Sequence, residues 1–232
     1  MSTADVFDLA AWRKAERARL LELRQALPLE QQRADDERIL AFVIEGFPLL
    51  RGMTIGFYWP FKGEVDPRVI VHRFRTQGAR SALPTVVVKA APLVFREWRP
   101  DTRTTPGVFG LPVPMDTEVV VPDAVLVPPV GLDANGYRLG YGGGFFDRTL
   151  ADISPRPLAI GLGRELSRIE TIHPQPYDIP MDFIVTEAGI HETTPAGLRR
   201  LAQPRDAAPL AERLVAARFN GNRASLHIPR GE

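Results

Sequence analysis

The sequence predicts an α/β protein, a single domain built on a mostly parallel sheet flanked by helices. Three observations lead there. Short apolar runs, such as AVLV at residues 124–127 and LAIGL at 158–162, suit strands buried on both faces. Longer stretches with apolar residues three or four apart read as amphipathic helices. The two kinds of segment alternate along the chain, as a parallel sheet with helical crossovers requires, and such sheets bind ligands at the carboxyl ends of their strands.

Residues 8–27 read as the first helix: at about 100° per residue, Leu9, Trp12, Leu20, Leu23 and Leu27 fall on one stripe. Arg13, Arg17 and Arg24 run along one edge of that stripe. Pro28 ends the helix, because the residue before a proline disfavours helical geometry. A second helix is expected over 29–44, with Gly46 and Pro48 beyond it. The run MTIGFYW at 53–59 then suits a buried strand, followed by the turn-prone PFKGEVDP. Residues 69–77 suit a helix closed by Gly78, and short strands fit at 79–83, 86–89 and 93–98. Residues 100–118, rich in proline, glycine and threonine, read as a long surface excursion.

The strand at 124–127 stops at Pro128 and Pro129, and LDANGYRLGYGGGFFDRTL leads through a turn and a glycine loop into a helix. Two further strands fit at 158–162 and 183–186. The main unit is thus expected over 1–190, with 191–232 a tail carrying a helix at 208–218 and a frayed end, FNGNRASLHIPRGE.

Composition narrows the function. A formal charge of +1 over 232 residues gives no global attraction to nucleic acid or an anionic membrane, so neither partner is expected. The chain has no cysteine, which excludes disulfides, thiolate zinc sites and cysteine nucleophiles and agrees with a cytoplasmic location. No apolar run approaches the roughly 20 residues that span a bilayer. The four histidines show no metal-ligand spacing and receive no catalytic role.

The most informative segment is Arg138-Leu139-Gly140-Tyr141-Gly142-Gly143-Gly144-Phe145-Phe146-Asp147. Its glycines let backbone N–H groups approach an anion closely, and the positive end of the following helix adds to that. Arg138 brings a planar donor set suited to phosphate oxygens. Asp147 suits either a magnesium ion or a helix cap. The spacing matches neither the GxxxxGK[ST] phosphate loop nor a GxGxxG fingerprint.

The whole stretch VLVPPVGLDANGYRLGYGGGFFDRTL resembles the signature of the 5-formyltetrahydrofolate cyclo-ligase (methenyltetrahydrofolate synthetase) family. FYWPFKGEVDP, ALP at 82–84 and HPQPYDIPMDFIVTE match in the same order, so the resemblance covers roughly residues 12–187. It implies a Rossmann-like three-layer fold of the NagB/RpiA/CoA transferase-like kind. It also implies ATP-dependent cyclisation of 5-formyltetrahydrofolate to 5,10-methenyltetrahydrofolate, with magnesium, in a monomer or weak homodimer.

By that resemblance Arg13 and Arg17 form the basic pair of the ATP site, with Lys14 a substitute where the family has lysine in place of Arg13. Arg138, Leu139, Gly140, Tyr141, Gly142, Gly143, Gly144, Phe145 and Phe146 surround the phosphates. Trp59, Glu64, Tyr141, Gly142, Gly143, Gly144 and Phe145 border the folate, and Asp147 and Asp178 hold magnesium. Arg138 and Tyr141 are the expected catalytic residues. Phe145 and Phe146 stand where tyrosine is frequent, and Leu132 stands for a phenylalanine. These departures leave open a non-catalytic nucleotide- or folate-binding paralogue; an unrelated sugar-phosphate enzyme with a similar loop is a third reading.

Overall fold

The computed structural model describes residues 7–219. Helix α1 (Leu9–Ala26) starts at Asp8, whose Oδ1 accepts from the N–H groups of Ala10 and Ala11 at 3.0 Å, and stops where Leu27 turns extended before Pro28. Helix α2 (Leu29–Gly46) continues two residues beyond the expected end. Then come β1 (Thr54–Gly56), α3 (Arg68–Arg75), β2 (Arg80–Thr85), β3 (Val94–Glu97), β4 (Thr104–Pro106) and β5 (Pro112–Pro114). The second half holds β6 (Ala124–Val127), β7 (Gly131–Asp133), β8 (Arg138–Leu139), α4 (Phe145–Asp152), β9 (Leu158–Leu162) and β10 (Arg168–Ile169). It closes with β11 (Phe183–Thr186), β12 (Gly189–Thr194), β13 (Gly197–Arg200) and α5 (Ala207–Phe219).

The main sheet runs β13-β12-β11-β9-β6-β1-β2-β3. From β11 to β2 every pairing is parallel, while β3, β12 and β13 are antiparallel additions at the edges. The period of two explains the uninterrupted apolar runs. In β6, Ala124 and Leu126 enter the core beneath α2 and α3, while Val125 and Val127 enter the core beneath α4. In β11, Phe183 and Val185 face one way and Ile184 the other. Both faces are covered, so both sets must be apolar. A third core, Leu20, Val130, Leu139 and Ile172, seats α1 on the small sheet β10-β7-β8.

Three expectations change. Residues 86–89 are not a strand: β2 and β3 pair Thr85 with Val94, so VVVK lies in the hairpin loop between them, with Val87 and Val88 60% and 59% exposed. The excursion over 100–118 contains the hairpin β4–β5, an isolated two-stranded ladder in which Pro106, Pro112 and Pro114 are tolerated. Most consequentially, residues from 189 on do not form an appendage. Strands β12 and β13 complete the sheet, and α5 buries Ala207 and Ala211 in the α2 core. A Cβ on Gly46 would lie 2.4 Å from Ile190 Cδ1 and 2.9 Å from Pro204 O, so α2 and this segment pack at backbone distance. The frayed end expected after Phe219 lies outside the described residues.

Asp182 ties these pieces together. It accepts from Arg218 at 2.6 and 2.8 Å and from Ala159 N at 2.8 Å, and it is also paired with Arg156. Truncation after residue 187 is therefore expected to abolish cooperative unfolding, because it strips the sheet edge and the cover of Phe47 and Phe183 together. A urea melt followed by circular dichroism checks this; a sharp transition in the truncated chain would contradict it.

Candidate active site

Two cavities meet over the carboxyl ends of the parallel strands, with the glycine loop between them. The loop leaves β8, takes positive φ at Gly142 (95°) and Gly144 (61°), and enters α4 with Gly144 as N-cap and no side-chain cap. The first-turn N–H groups of α4 are thus left for another acceptor. Both cavities share Arg138, Gly140, Gly143, Gly144 and Asp147 in their walls.

The first cavity is largely apolar, walled by Leu83, Val86, Leu93, Phe109, Phe145 and Phe146. Glu64 reaches its wall almost fully buried; Oε1 accepts from Tyr141 Oη at 2.7 Å and Oε2 from Phe61 N at 2.9 Å. Burial pushes the Glu64 carboxyl up, while Tyr141, Arg24 and the Phe61 N–H oppose the shift. Tyr141 is itself raised, by burial and then by the Glu64 charge, so its hydroxyl stays protonated and serves as a donor. Trp59 lines this cavity too, with the Arg68 guanidinium 4.6 Å above its ring and Trp98 edge-on at 6.0 Å. It is both wall and packing.

The second cavity is the more polar of the two and carries most of the charged side chains. Arg13 pairs with Asp178 at 2.5 Å and donates to the carbonyls of Ile172 and His173. Arg17 donates to Gly140 O at 2.7 Å, and burial followed by the charge of Arg13 lowers its pKa. Arg138 donates to Ile179 O at 2.7 Å. Its Nη2 lies 2.8 Å from Asp147 Oδ1, a buried ion pair on the wall that both cavities share. Burial lowers the pKa of Arg138, and Asp147 opposes that.

Asp147 does not cap α4; its Oδ1 accepts from Ile179 N at 3.0 Å. Asp178 accepts from Gln175 N at 2.7 Å, closing a turn, besides pairing with Arg13. These two carboxylates line the polar cavity, and among the described residues no group of three or more His, Cys, Asp or Glu side chains could hold a metal. Such a pair fits magnesium that arrives with phosphate oxygens and waters on it better than a resident, all-protein site.

The sequence-expected residues therefore converge, with one exception. Lys14 is exposed and lines neither cavity, because one step along a helix turns a side chain about 100° away from Arg13. Leu139 contributes backbone only, its side chain being buried in the α1 core. Several residues of the site escaped the sequence reading. Arg148 donates to Gly143 O and lies 5.5 Å from the Phe145 ring; directly following the motif was its only signal. Phe109, at the tip of the β4–β5 hairpin, stacks on Phe61 at 6.3 Å. Arg24 and Arg164 bind the carbonyls of Lys62 and Gly63 in the loop that carries Glu64.

The profile of the 5-formyltetrahydrofolate cyclo-ligase family matches residues 9–187. The chain belongs to this family. Among relatives, the 5-formyltetrahydrofolate cyclo-ligase of Mycolicibacterium smegmatis is 30% identical over 179 residues, covering 73% of this chain and 91% of its own length. The Escherichia coli K12 cyclo-ligase is 27% identical over 176 residues, covering 73% and 97%. The NMR structure of Aquifex aeolicus 5,10-methenyltetrahydrofolate synthetase superposes with a TM-score of 0.66 at 27% identity, covering 82% of this chain and 93% of that one. A Mycoplasma pneumoniae 5,10-methenyltetrahydrofolate synthetase shares the fold, with a TM-score of 0.62 at 22% identity over 75% and 98%. The cyclo-ligase match thus contains both cavities, while β12, β13 and α5 lie beyond it. Among the described residues no helix is long and apolar enough to cross a membrane.

Proposed function

We propose that this chain is an ATP-dependent 5-formyltetrahydrofolate cyclo-ligase, producing 5,10-methenyltetrahydrofolate, ADP and phosphate. The observation that carries the reading is the shared wall: one glycine loop separates an apolar cavity holding a buried carboxylate from a polar cavity lined by four arginines. That is the layout needed to bring a pterin formyl oxygen against a γ-phosphoryl group.

The formyl group is a poor electrophile with a poor leaving group. Its oxygen attacks the γ-phosphorus, ADP leaves, and the resulting imidate-like phosphate is attacked at carbon by N10. Loss of phosphate and the N10 proton then gives the methenyl bridge. Arg13, Arg17 and Arg138, with the backbone N–H groups of residues 140–144 and the open end of α4, bind and orient the phosphates; Phe145 and Phe146 close the boundary between the cavities. The guanidinium of Arg138, in the wall common to both cavities, is the donor best placed for charge that develops during transfer. Asp147 and Asp178 would hold magnesium, which supplies charge neutralisation on the phosphates. Glu64 accepts from the pterin N–H groups, Tyr141 fixes Glu64, and Trp59 packs on the ring system.

Absorbance of the methenyl product, with ATP, magnesium and 5-formyltetrahydrofolate supplied, tests the reading. Binding of both ligands without product would mark a non-catalytic binder. Glu64→Gln is expected to raise the folate KM and leave the ATP KM within roughly twofold, since the charge lost lies on the pterin side alone. Ionised Glu64 is the competent form and its pKa is raised, so kcat/KM for folate should fall on acidification sooner than for an ordinary carboxylate. The pH profile of Glu64→Gln should lack that limb; an unchanged limb would assign it elsewhere.

A further inference from the structure

We infer that Arg24 is a positioning residue that orients the Glu64 carboxylate through the Tyr141 hydroxyl. The inference rests on the reading of Glu64 as the folate carboxylate. Along α1, Arg13, Arg17 and Arg24 follow the same edge, and the first two enter the polar cavity. Arg24, about two turns further on, passes beneath the loop and is 5% exposed.

There it binds three segments that are remote in sequence. Nε donates to Lys62 O at 2.9 Å, Nη1 to Pro129 O at 3.1 Å beyond the end of β6, and Nη2 to Tyr141 Oη at 2.6 Å in the glycine loop. Nη2 is also 4.0 Å from Glu64 Oε1. A tyrosine hydroxyl has one proton, and here it goes to Glu64 at 2.7 Å. The chain of bonds therefore has one polarity, from the Arg24 N–H through the Tyr141 O–H to the Glu64 carboxylate.

The two backbone carbonyls fix the plane of the guanidinium, and that plane decides where its third arm points. Holding the Lys62 carbonyl matters because the loop is strained there: Lys62 and Gly63 both have positive φ, 49° and 73°. Arg164 takes the next carbonyl, Gly63 O, at 2.8 Å. Neither arginine touches a phosphate-side carboxylate; Arg164 pairs instead with Asp35 and Asp36 of α2. Arg24 thus links the helix that carries the phosphate arginines to the residue that reads the pterin. An ammonium has no rigid fork with which to reach three acceptors, so lysine cannot replace it.

The test is a double-mutant cycle on the full chain, combining Arg24→Lys and Arg24→Gln with Glu64→Gln. It is read as the KM for 5-formyltetrahydrofolate, the KM for ATP, kcat and the thermal midpoint. Arg24→Lys alone should raise the folate KM about tenfold with the ATP KM within roughly twofold, and should add no further rise in the Glu64→Gln background. Arg24→Gln should behave alike; if it does not fold, the lysine arm decides. An equal rise in both backgrounds, or an ATP KM rising in step with the folate KM, overturns the positioning role. If Glu64→Gln by itself leaves the folate KM unchanged, the folate reading of Glu64 fails, and this inference with it.

Discussion

Arg138→Lys is expected to lower kcat by about 10²–10³-fold, the loss typical of removing one preorganised donor from a developing charge. The substitution keeps a positive charge in the polar cavity, so net charge alone cannot rescue it. What it removes is the division of labour within one planar group. Nη1 is committed to Ile179 O, which fixes the plane, and Nη2 meets Asp147 Oδ1 at 2.8 Å on the wall both cavities share. Lysine would satisfy one of these positions and leave the other. Single-turnover kinetics at saturating ATP separate the effect on transfer from any effect on binding; a variant with unchanged single-turnover rate would remove Arg138 from the chemistry.

Asp147→Asn should raise the magnesium concentration needed for half-maximal turnover by about 10–100-fold, within the range seen when a metal site loses part of its support. The fold should survive with a lowered thermal midpoint: an asparagine carbonyl oxygen still accepts from Ile179 N, but the buried Arg138 loses the carboxylate beside it. Only the charge goes. Titrating magnesium at fixed ATP, alongside the thermal midpoint of the variant without nucleotide, tells the two effects apart. A magnesium curve that does not move would take Asp147 out of the metal's reach.

The interior of this fold was legible because its central strands are buried on both faces. The runs at 124–127, 158–162 and 183–186 coincide with β6, β9 and β11, since no competing polarity blurs such segments. The edges were not legible. Strands β12 and β13, GIHETT and GLRR, are half solvated, and their polar residues read as tail. In VVVK the opposite happened: apolar, β-branched residues lie in an exposed hairpin loop because the pairing of β2 with β3 fixes where the chain must turn. The site divides in the same way. A contiguous motif revealed the glycine loop and Asp147. Arg24 and Arg164 act on backbone carbonyls 38 and 101 residues away, and no local pattern encodes that.

Arg13 pairs with Asp178 and Arg138 with Asp147, so half of the arginines lining the polar groove already face a carboxylate, while Arg17 and Arg148 donate to the carbonyls of Gly140 and Gly143. A nucleotide entering it trades one set of ionic contacts for another, so the free energy of capture is a difference between two attractions and not their sum. A bare inorganic anion would claim Arg13 or Arg138 only by stranding Asp178 or Asp147. On the proposed reading, a metal-complexed triphosphate would satisfy the two signs at once, and the groove would discriminate by charge pattern where a uniformly basic one would discriminate by charge alone.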